Sequence, residues 1–446
     1  MLDHDESTYM IIGRDILNGK SLYTDVTDTK PVGIFLFYAG LESLFGNSIF
    51  WKRFVFALVV AFTAFLVFRV SKKFFENNKV AFASGIIYIF YTSVWVYHGR
   101  SPNTELLFNL FTIFGLLLFL KKDFKNYLLG GLLMGIGFMV KYLVLFDFFA
   151  FMLFFFVIEI RDREVTPLVR IFAQYAIACL GFMLPFGATN LYFWLGENFQ
   201  NFYFVTYELP LNYGSSPSMI RYLTMIVDFV GKFLPISIIV FYIIFKRKKP
   251  MSNQLKWFFA IWITAVFFAI YSPGKEFSHY TIQLMLPLSI LGGLFFHPGF
   301  QKDRIISTLY SKKIGLALLV FFILVIQFVG VKDDILGADT PRDVAHFISE
   351  ERNPGDVVFV SNYHQVVYYL LDQDSPTKFI HSNLLFTGTI KAFSVDADEE
   401  LRRIMNRSPE FVVVQKNNKK IKKLMKKNYR LIKEFENGNV QIYRES

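Results

Sequence analysis

Two carboxylates that could do chemistry stand near the beginning of the chain, in the run Asp3-His4-Asp5-Glu6. Carboxylates of this kind act as general bases or as ligands for divalent metal ions. If a helix runs over residues 5–18 and stops at Gly19, Asp5 and Tyr9 share one face of it and Glu6 points elsewhere. A purely structural interpretation is equally open, because acidic residues in a first turn also complement the helix dipole.

A second polar segment runs from Leu22 to Pro31 and carries Asp25 and Lys30. The composition of Asp28-Thr29-Lys30-Pro31 is typical of a turn. A surface turn accounts for the proline, but it does not account for a lysine held close to the acidic pair. Oxygen ligands from this region leave a divalent metal open, yet they are weak evidence alone, so we predict no cofactor and no metal site.

Further polar residues lie among apolar stretches later in the chain: Asn103, Glu105, Lys141, Tyr142, Lys275, His279 and Tyr280. Lys141 is the most informative, since an unpaired charge at the membrane centre costs about 2.5–3.5 kcal/mol. Snorkelling at a helix bend, with Asp147 as a structural partner, is the alternative for this lysine. Glu105 has an alternative too, because a carboxylate favours the positive end of a helix.

The amino-acid composition indicates the class of protein, and thus the kind of secondary structure, that positions these residues. Of the 446 residues, 54% are apolar and 19% are charged, and phenylalanine occurs 55 times. This excess excludes a soluble globular enzyme, and the single Cys179 excludes a disulfide framework. No two of the seven histidines are three or four residues apart, which excludes a helical histidine pair for metal. No phosphate-binding glycine loop of the ATPase type occurs. The sequence therefore predicts an α-helical polytopic membrane protein.

A membrane-crossing helix needs roughly 20 apolar residues, and the chain is predicted to contain about ten such spans. The runs are 51–70, 79–98, 103–120, 168–194, 222–245, 255–271, 281–297 and 313–331, with 125–158 forming two helices that meet near Lys141–Tyr142. Gly131 and Gly135 predict close helix packing. Lysine and arginine cluster in alternate loops, which marks those loops as cytoplasmic. Residues 1–50 are then a first external loop of a transmembrane catalytic domain, 1–331, and everything later is external.

From residue 332 the composition changes to that of a soluble α/β domain, 332–446. The predicted strands are Val357–Ser361, Thr377–His381, Phe411–Val414 and Val440–Tyr443, alternating with helical patterns. The lysines between Lys416 and Lys427 indicate a solvated helix face, with anionic lipid headgroups as an alternative partner, and we predict no nucleic-acid binding.

Several of these motifs together resemble the start of the GT-C glycosyltransferases. The ordered set is Asp5-Glu6, Gly19, Tyr23-x-Asp25, Lys30-Pro31, Phe45-Gly46 and Arg53, followed by Gly131–Lys141–Tyr142 and by Lys275–His279-Tyr280 before Pro287. The similarity is to the branch of protein O-mannosyltransferases, lipid A aminoarabinose transferases and lipopolysaccharide galacturonosyl transferases, and it covers about 1–300. That family has a span before its Asp-Glu motif, so we expect a first span to be missing from this chain; insertion of 32–46 is the alternative. Val32 stands where the family has a second proline.

The resemblance implies transfer of a sugar from a polyprenyl-phosphate donor to a hydroxyl acceptor on the outer face of the cytoplasmic membrane. The acceptor is a lipid, a glycan or a protein, and membrane lipids are further partners. Asp5 is then the general base, and Glu6 positions the acceptor or the helix. The implied substrate-binding residues are Tyr9, Asp25, Lys30, Asn103, Glu105, Lys141, Tyr142, Lys275, His279 and Tyr280.

Two other functions compete with this one. A transporter or flippase for a lipid-linked glycan fits the many spans, but such proteins usually show repeated halves, and no repeat is apparent. A membrane platform whose working part is the C-terminal domain is the third hypothesis.

Overall fold

The computed structural model describes residues 2–93, 101–161, 167–213, 218–245, 251–271, 274, 278–301, 337–425 and 428–446, with single positions at 321, 324, 325, 328 and 332. The chain forms two compact units. The first unit comprises Met1–Lys52, Phe193–Tyr213 and Leu336–Ser446, and the second comprises Arg53–Tyr192 and Gly214–Ile335. The first 52 residues thus group with the C-terminal domain, which the sequence-based division into 1–331 and 332–446 did not predict.

The helices are numbered in chain order. They are α1 His4–Leu17, α2 Val32–Phe45, α3 Ile49–Phe75, α4 Asn78–Thr92, α5 Thr104–Phe119, α6 Phe124–Val140, α7 Val144–Arg161, α8 Leu168–Leu195, α9 Phe199–Tyr203, α10 Leu209–Tyr213, α11 Met219–Lys232, α12 Leu234–Phe245, α13 Asn253–Tyr271, α14 Met285–Gly293, α15 Pro298–Gln301, α16 Thr340–Glu351, α17 Val366–Leu370, α18 Ala397–Met405 and α19 Lys419–Met425. A π-helical turn, Phe204–Glu208, joins α9 to α10, and a 3₁₀ turn, Ser278–Leu284, leads into α14.

The apolar runs predicted from the sequence are helical along most of their described length. Among the described residues, four segments are long and apolar enough to cross a membrane: α3, α8, α13 and His279–Phe296. The bent pair α11–α12 counts as a fifth if it forms one broken span, and α2, α5 and α6 are shorter apolar helices. The predicted break in 125–158 is confirmed, because α6 ends at Val140 and α7 begins at Val144. Most of the predicted span 313–331 lies outside the described residues. The protein is an α-helical polytopic membrane protein with a C-terminal sheet domain.

Glycines bring α6 and α8 into close contact within the second unit. A Cβ at Gly131 would lie 2.1 Å from the Ala178 carbonyl oxygen, and one at Gly135 would lie 2.3 Å from that of Phe182. On the facing helix, a Cβ at Gly181 would lie 2.3 Å from the Leu128 carbonyl oxygen. No side chain fits at these distances. The predicted packing role of Gly131 and Gly135 is confirmed, since small residues let membrane helices approach backbone to backbone.

The first unit contains a four-stranded sheet with strand order β1-β2-β4-β3. Its strands are β1 Val358–Val360, β2 Phe411–Gln415, β3 Tyr429–Phe435 and β4 Val440–Glu445. β1 and β2 are parallel, with Val358 opposite Phe411, and the other two pairings are antiparallel. The predicted strand 377–381 is wrong as a member of this sheet. Its backbone pairs with the N-terminal loop instead, through an isolated parallel bridge between Thr27 and Phe379.

We predict that Gly181→Ala destabilises the protein by about 1–3 kcal/mol, the usual effect of overpacking a tight contact. The added methyl meets a backbone carbonyl, which cannot move aside as a side chain can. Gly187→Ala on the same helix is the matched control, because a Cβ there has no atom within 4 Å. Thermal unfolding in detergent measures both variants, and equal melting temperatures would contradict the proposed contact.

Candidate active site

Helix α1 presents the two acids in its first turn. The Asp3 side chain accepts a hydrogen bond from the His4 amide and caps the helix, so the acids lie at its positive end. Glu6 is only 1% exposed, whereas the Asp5 side chain is 16% exposed. Asp5 is therefore the acid that a solvent or substrate hydroxyl can reach.

Tyr9 lies on the packed face of α1. Its ring is 6.0 Å from Phe35 and 5.6 Å from Tyr38, and the side chain is buried against α2. Gly13, one turn further, allows the close approach of the two helices, because a Cβ there would lie 2.8 Å from the backbone of Tyr38 and Ala39. The structure thus gives Tyr9 a packing role beneath the site.

Lys30 joins the acids, as its position in the sequence suggested. Its Nζ lies 3.1 Å from Asp5 Oδ1 and 3.2 Å from Asp28 Oδ2. The same ammonium group lies 5.7 Å from the centroid of the Tyr9 ring. One cation between two carboxylates leaves these three charges with a net negative sum. Asp28, which is 1% exposed, is a cluster member that the sequence analysis treated only as part of a turn.

The loop that carries Lys30 is held by Tyr23. This residue has a positive φ of 68°, a region that non-glycine residues rarely occupy. Its hydroxyl donates to the Lys30 carbonyl at 3.1 Å, and its ring packs on Phe193 and Phe202. Asp25 instead accepts a hydrogen bond from the Ser21 amide at 2.8 Å and is exposed. The structure therefore places Asp25 in its own turn, outside the cluster.

The C-terminal domain supplies residues to the same cluster. The Thr27 amide donates to the Lys378 carbonyl at 2.8 Å, which brings His381 to the site. His381 Nε2 lies 3.8 Å from Asp5 Oδ1. The His381 ring stacks on that of His4, with centroids 5.5 Å apart. The sequence analysis missed His381, and no local pattern marks it.

His364 and Gln365 complete this arrangement. The His364 and His4 rings stack at 4.3 Å between centroids. The Gln365 side chain accepts from His4 Nδ1 at 2.9 Å and donates to the Thr8 hydroxyl at 2.7 Å. These contacts join the first turns of α1 to the segment before α17.

A second lysine of the first unit is more deeply buried. Lys52 is 1% exposed, and its Nζ lies 2.8 Å from Glu42 Oε2 and 2.8 Å from the Tyr369 hydroxyl. That hydroxyl donates to the same Glu42 oxygen at 2.7 Å. The three groups satisfy one another, so we assign them a structural role that ties α2 and the start of α3 to α17.

The second unit holds its own ion pair. Lys141, at the end of α6, pairs with Glu105 in the first turn of α5, and both side chains are buried. The Thr104 hydroxyl donates to the other Glu105 oxygen at 3.0 Å. The Lys141 ammonium also lies 3.7 Å from the centroid of the Tyr280 ring. Lys141 therefore sits in the apolar region as half of an ion pair.

The suggested pairing of Lys141 with Asp147 is wrong. Asp147 accepts hydrogen bonds from Trp262 Nε1 at 2.6 Å and from Gln283 Nε2 at 2.5 Å. These two donors and complete burial give Asp147 a structural role.

The remaining predicted residues of the second unit fall around the ion pair. Asn103 is the N-cap residue of α5 and is 1% exposed. The His279 ring lies against that of Tyr280, with centroids 4.9 Å apart. Tyr142 packs on Phe138 at the break between α6 and α7. Lys275 lies outside the described residues. Within the part of the chain that the structure describes, no group of three or more His, Cys, Asp or Glu residues could hold a metal ion.

Comparison with known proteins shows which family model and which solved structures this chain resembles. Residues 29–187 match the family model described as dolichyl-phosphate-mannose-protein mannosyltransferase. Two crystal structures of ArnT from Cupriavidus metallidurans match nearly the whole chain. The one bound to undecaprenyl phosphate has a TM-score of 0.64 and 14% identity, and covers 99% of this chain and 94% of its own. The chain has the GT-C fold. The apo structure agrees, with a TM-score of 0.64 and 15% identity over 98% of this chain and 92% of its own. No curated protein matches the sequence.

The resemblance drawn from the sequence motifs is therefore confirmed at the level of the GT-C fold. The matched family region begins at Thr29, just before Lys30-Pro31, and it includes Glu105 and Lys141. It ends before the C-terminal domain, which supplies His364, Gln365 and His381.

We predict that Lys141→Met destabilises the GT-C chain by about 3–5 kcal/mol, because Glu105 is left buried without its counter-ion. The double variant Lys141→Met/Glu105→Gln removes both charges and should recover most of the loss. Lys125→Met, at an exposed lysine of the same helix, is the control. Thermal unfolding in detergent of these variants and of Glu105→Gln alone completes the cycle. Additive losses would show that the two side chains do not interact.

We also predict a pH dependence of stability from His364. Burial first, and then the neighbouring His4, lower the pKa of His364 to about 4 from an ordinary value of 6.5. In the unfolded chain, His364 therefore binds a proton below about pH 6.5. In the folded chain it binds that proton only below about pH 4. Stability should fall as the pH is lowered through this window, and His364→Phe should show a smaller fall.

His346→Phe, at a histidine whose side chain is 71% exposed, is the control. Melting temperatures between pH 7.5 and 4.5 compare the three proteins. If His364→Phe follows the wild-type slope, His364 does not cause this dependence.

Proposed function

We propose that this protein is an integral membrane glycosyltransferase that moves a sugar from a polyprenyl-phosphate donor to a hydroxyl acceptor. The observation that carries the proposal is the Asp5 carboxylate, partly exposed at the start of α1 and held by Lys30 at 3.1 Å. The GT-C fold supports it, since ArnT with this fold was solved with undecaprenyl phosphate bound. The match to a dolichyl-phosphate-mannose-protein mannosyltransferase model supports it too.

The reaction requires one proton acceptor. The acceptor oxygen forms a bond to the anomeric carbon of the sugar, and the bond from that carbon to the phosphate oxygen breaks. The hydroxyl proton passes to a base, and the polyprenyl phosphate leaves as an anion. A positioned base contributes about 10²–10⁴ to the rate of such a step.

Asp5 fits the role of base better than Glu6. Glu6 is 1% exposed and so is enclosed by the protein, which suits holding α1 rather than contacting an acceptor. Lys30 and Asp28 flank Asp5 and leave the three groups together with a net negative charge. A negative environment favours uptake of a proton and repels a phosphate. We therefore assign Lys30 to the support of the base and not to the leaving phosphate.

Phosphate binding falls to cations of the second unit in this proposal. Lys141 keeps a fixed ammonium beside Tyr280 and His279, and its pairing with Glu105 lets the charge persist in an apolar region. An ammonium group has three hydrogens to donate, so a phosphate oxygen can join Glu105 as an acceptor. Asn103 and Tyr142, which flank this pair in the chain, and Lys275 remain proposed contacts to the donor.

The orientation of the protein is proposed from its charges. Lysine and arginine clusters between the spans mark the cytoplasmic side. Residues 1–50 and 332–446 then lie on the outer face of the cell membrane, which is periplasmic in a cell with two membranes. The donor phosphate and the acceptor, a hydroxyl group of a lipid, glycan or protein, meet the enzyme on that face.

We predict that Asp5→Asn lowers sugar transfer by about 10²–10⁴-fold, because an amide cannot take the acceptor proton. The assay uses purified protein in liposomes with polyprenyl-phosphate sugars as donors and a panel of lipid, glycan and peptide acceptors. Asp343→Asn, the same substitution at an exposed position of α16, is the control. An Asp5→Asn protein that is folded and turns over at the wild-type rate would remove Asp5 as the base.

A further inference from the structure

His381 of the C-terminal domain faces the candidate base with a defined ring nitrogen. Its Nδ1 accepts a hydrogen bond from the Asn383 amide at 3.4 Å. A neutral imidazole that accepts at Nδ1 carries its hydrogen on Nε2. That Nε2 is the atom 3.8 Å from Asp5 Oδ1. The local backbone therefore selects the tautomer that aims a donor at Asp5.

Stacking fixes the plane of this ring. His381 stacks on His4, which directly precedes Asp5 in the chain, with an angle of 20° between the ring planes. His4 in turn stacks on His364 and is hydrogen-bonded to Gln365. The histidine ring and the carboxylate are thus held by the same group of contacts, 3.8 Å apart, and a closer approach would form a hydrogen bond between them.

The surroundings keep His381 neutral. Burial lowers the pKa of His381 below its ordinary value, and this outweighs the opposing effect of Asp5 and Asp28; Lys30 and His4 act in the same direction as burial. Among the described residues, these four groups act on the ring from α1 and from the loop. A neutral donor can orient a carboxylate without cancelling its charge, which a second lysine could not do.

We propose that His381 is a positioning residue for Asp5: its Nε2–H orients the carboxylate that accepts the proton of the acceptor hydroxyl. The kinetic consequence of this inference rests on the proposed function. The contact between the two side chains is independent of that function. It makes the C-terminal domain part of the apparatus that prepares the base.

The kinetic test compares His381→Phe with His381→Gln. Phenylalanine keeps the stacked ring and removes the donor, and glutamine keeps an N–H donor at similar reach. A hydrogen bond to a charged group is strong enough that its loss should lower kcat about 10- to 100-fold, with KM little changed. The acid limb of the kcat–pH profile should move to higher pH in His381→Phe, because the carboxylate is protonated more easily without the donor.

His381→Gln should restore both kcat and the acid limb, and His346→Phe is the exposed control in the same domain. A His381→Phe protein with wild-type kcat and an unshifted acid limb would overturn the inference even if Asp5→Asn is inactive.

A second measurement needs no activity and so separates this inference from the proposed function. Melting temperatures of wild type, Asp5→Asn, His381→Phe and the double variant form a cycle. The inference expects a loss in the double variant smaller than the sum of the single losses. Additive shifts would show that the two side chains do not interact, whatever reaction the protein catalyses.

Discussion

The ammonium group of Lys30 is the point on which the arrangement of the first unit depends. It lies between Asp5 and Asp28, in a place where each side chain is 16% exposed or less. Unpaired charges at such a place cost several kcal/mol, so removing any one of the three destabilises the others. The left-handed conformation of Tyr23 and the bridge from Thr27 to Phe379 are the means by which the chain meets this constraint.

Lysines in both units are paired with a carboxylate beside an aromatic side chain. Lys30 is paired with Asp5 and Asp28 near the Tyr9 ring, Lys52 with Glu42 and the Tyr369 hydroxyl, and Lys141 with Glu105 near the Tyr280 ring. In each case a carboxylate supplies the counter-charge, and an aromatic side chain shields one side of the ammonium from water. The differences lie in charge balance. Lys52 and Lys141 each pair with one carboxylate, whereas Lys30 lies between two.

The sequence predicted well what depends on local chemistry. Apolar runs indicated the helices, the charged residue inside 125–158 indicated the break at Lys141, and glycine spacing indicated the close packing of α6. These features are predictable because hydrophobic length and backbone freedom are properties of short segments.

Other features depend on which distant segments meet, and those could not be read from one sequence. Glu105 and Lys141 are 36 residues apart, and Gln365 reaches His4 across 361. Whether Asp25 or Asp28 joins the cluster depends on the left-handed backbone of Tyr23. A tyrosine at that position does not indicate such a conformation. The sequence analysis missed strand β3, in which most residues are exposed.

The contacts of α1 favour a C-terminal domain that folds together with the N-terminal residues over one that is independent of them. Arg14 is 5% exposed and donates to the carbonyls of Tyr368 and Gln373, and Lys52 reaches Tyr369. Without the C-terminal domain these cations would lose hydrogen-bonding partners, and His4 would lose Gln365 and both stacked rings. A C-terminal domain that was independent of the N-terminal residues would need no such burial of charge. The first unit therefore holds the Asp5 carboxylate in this arrangement only when both ends of the chain are folded together.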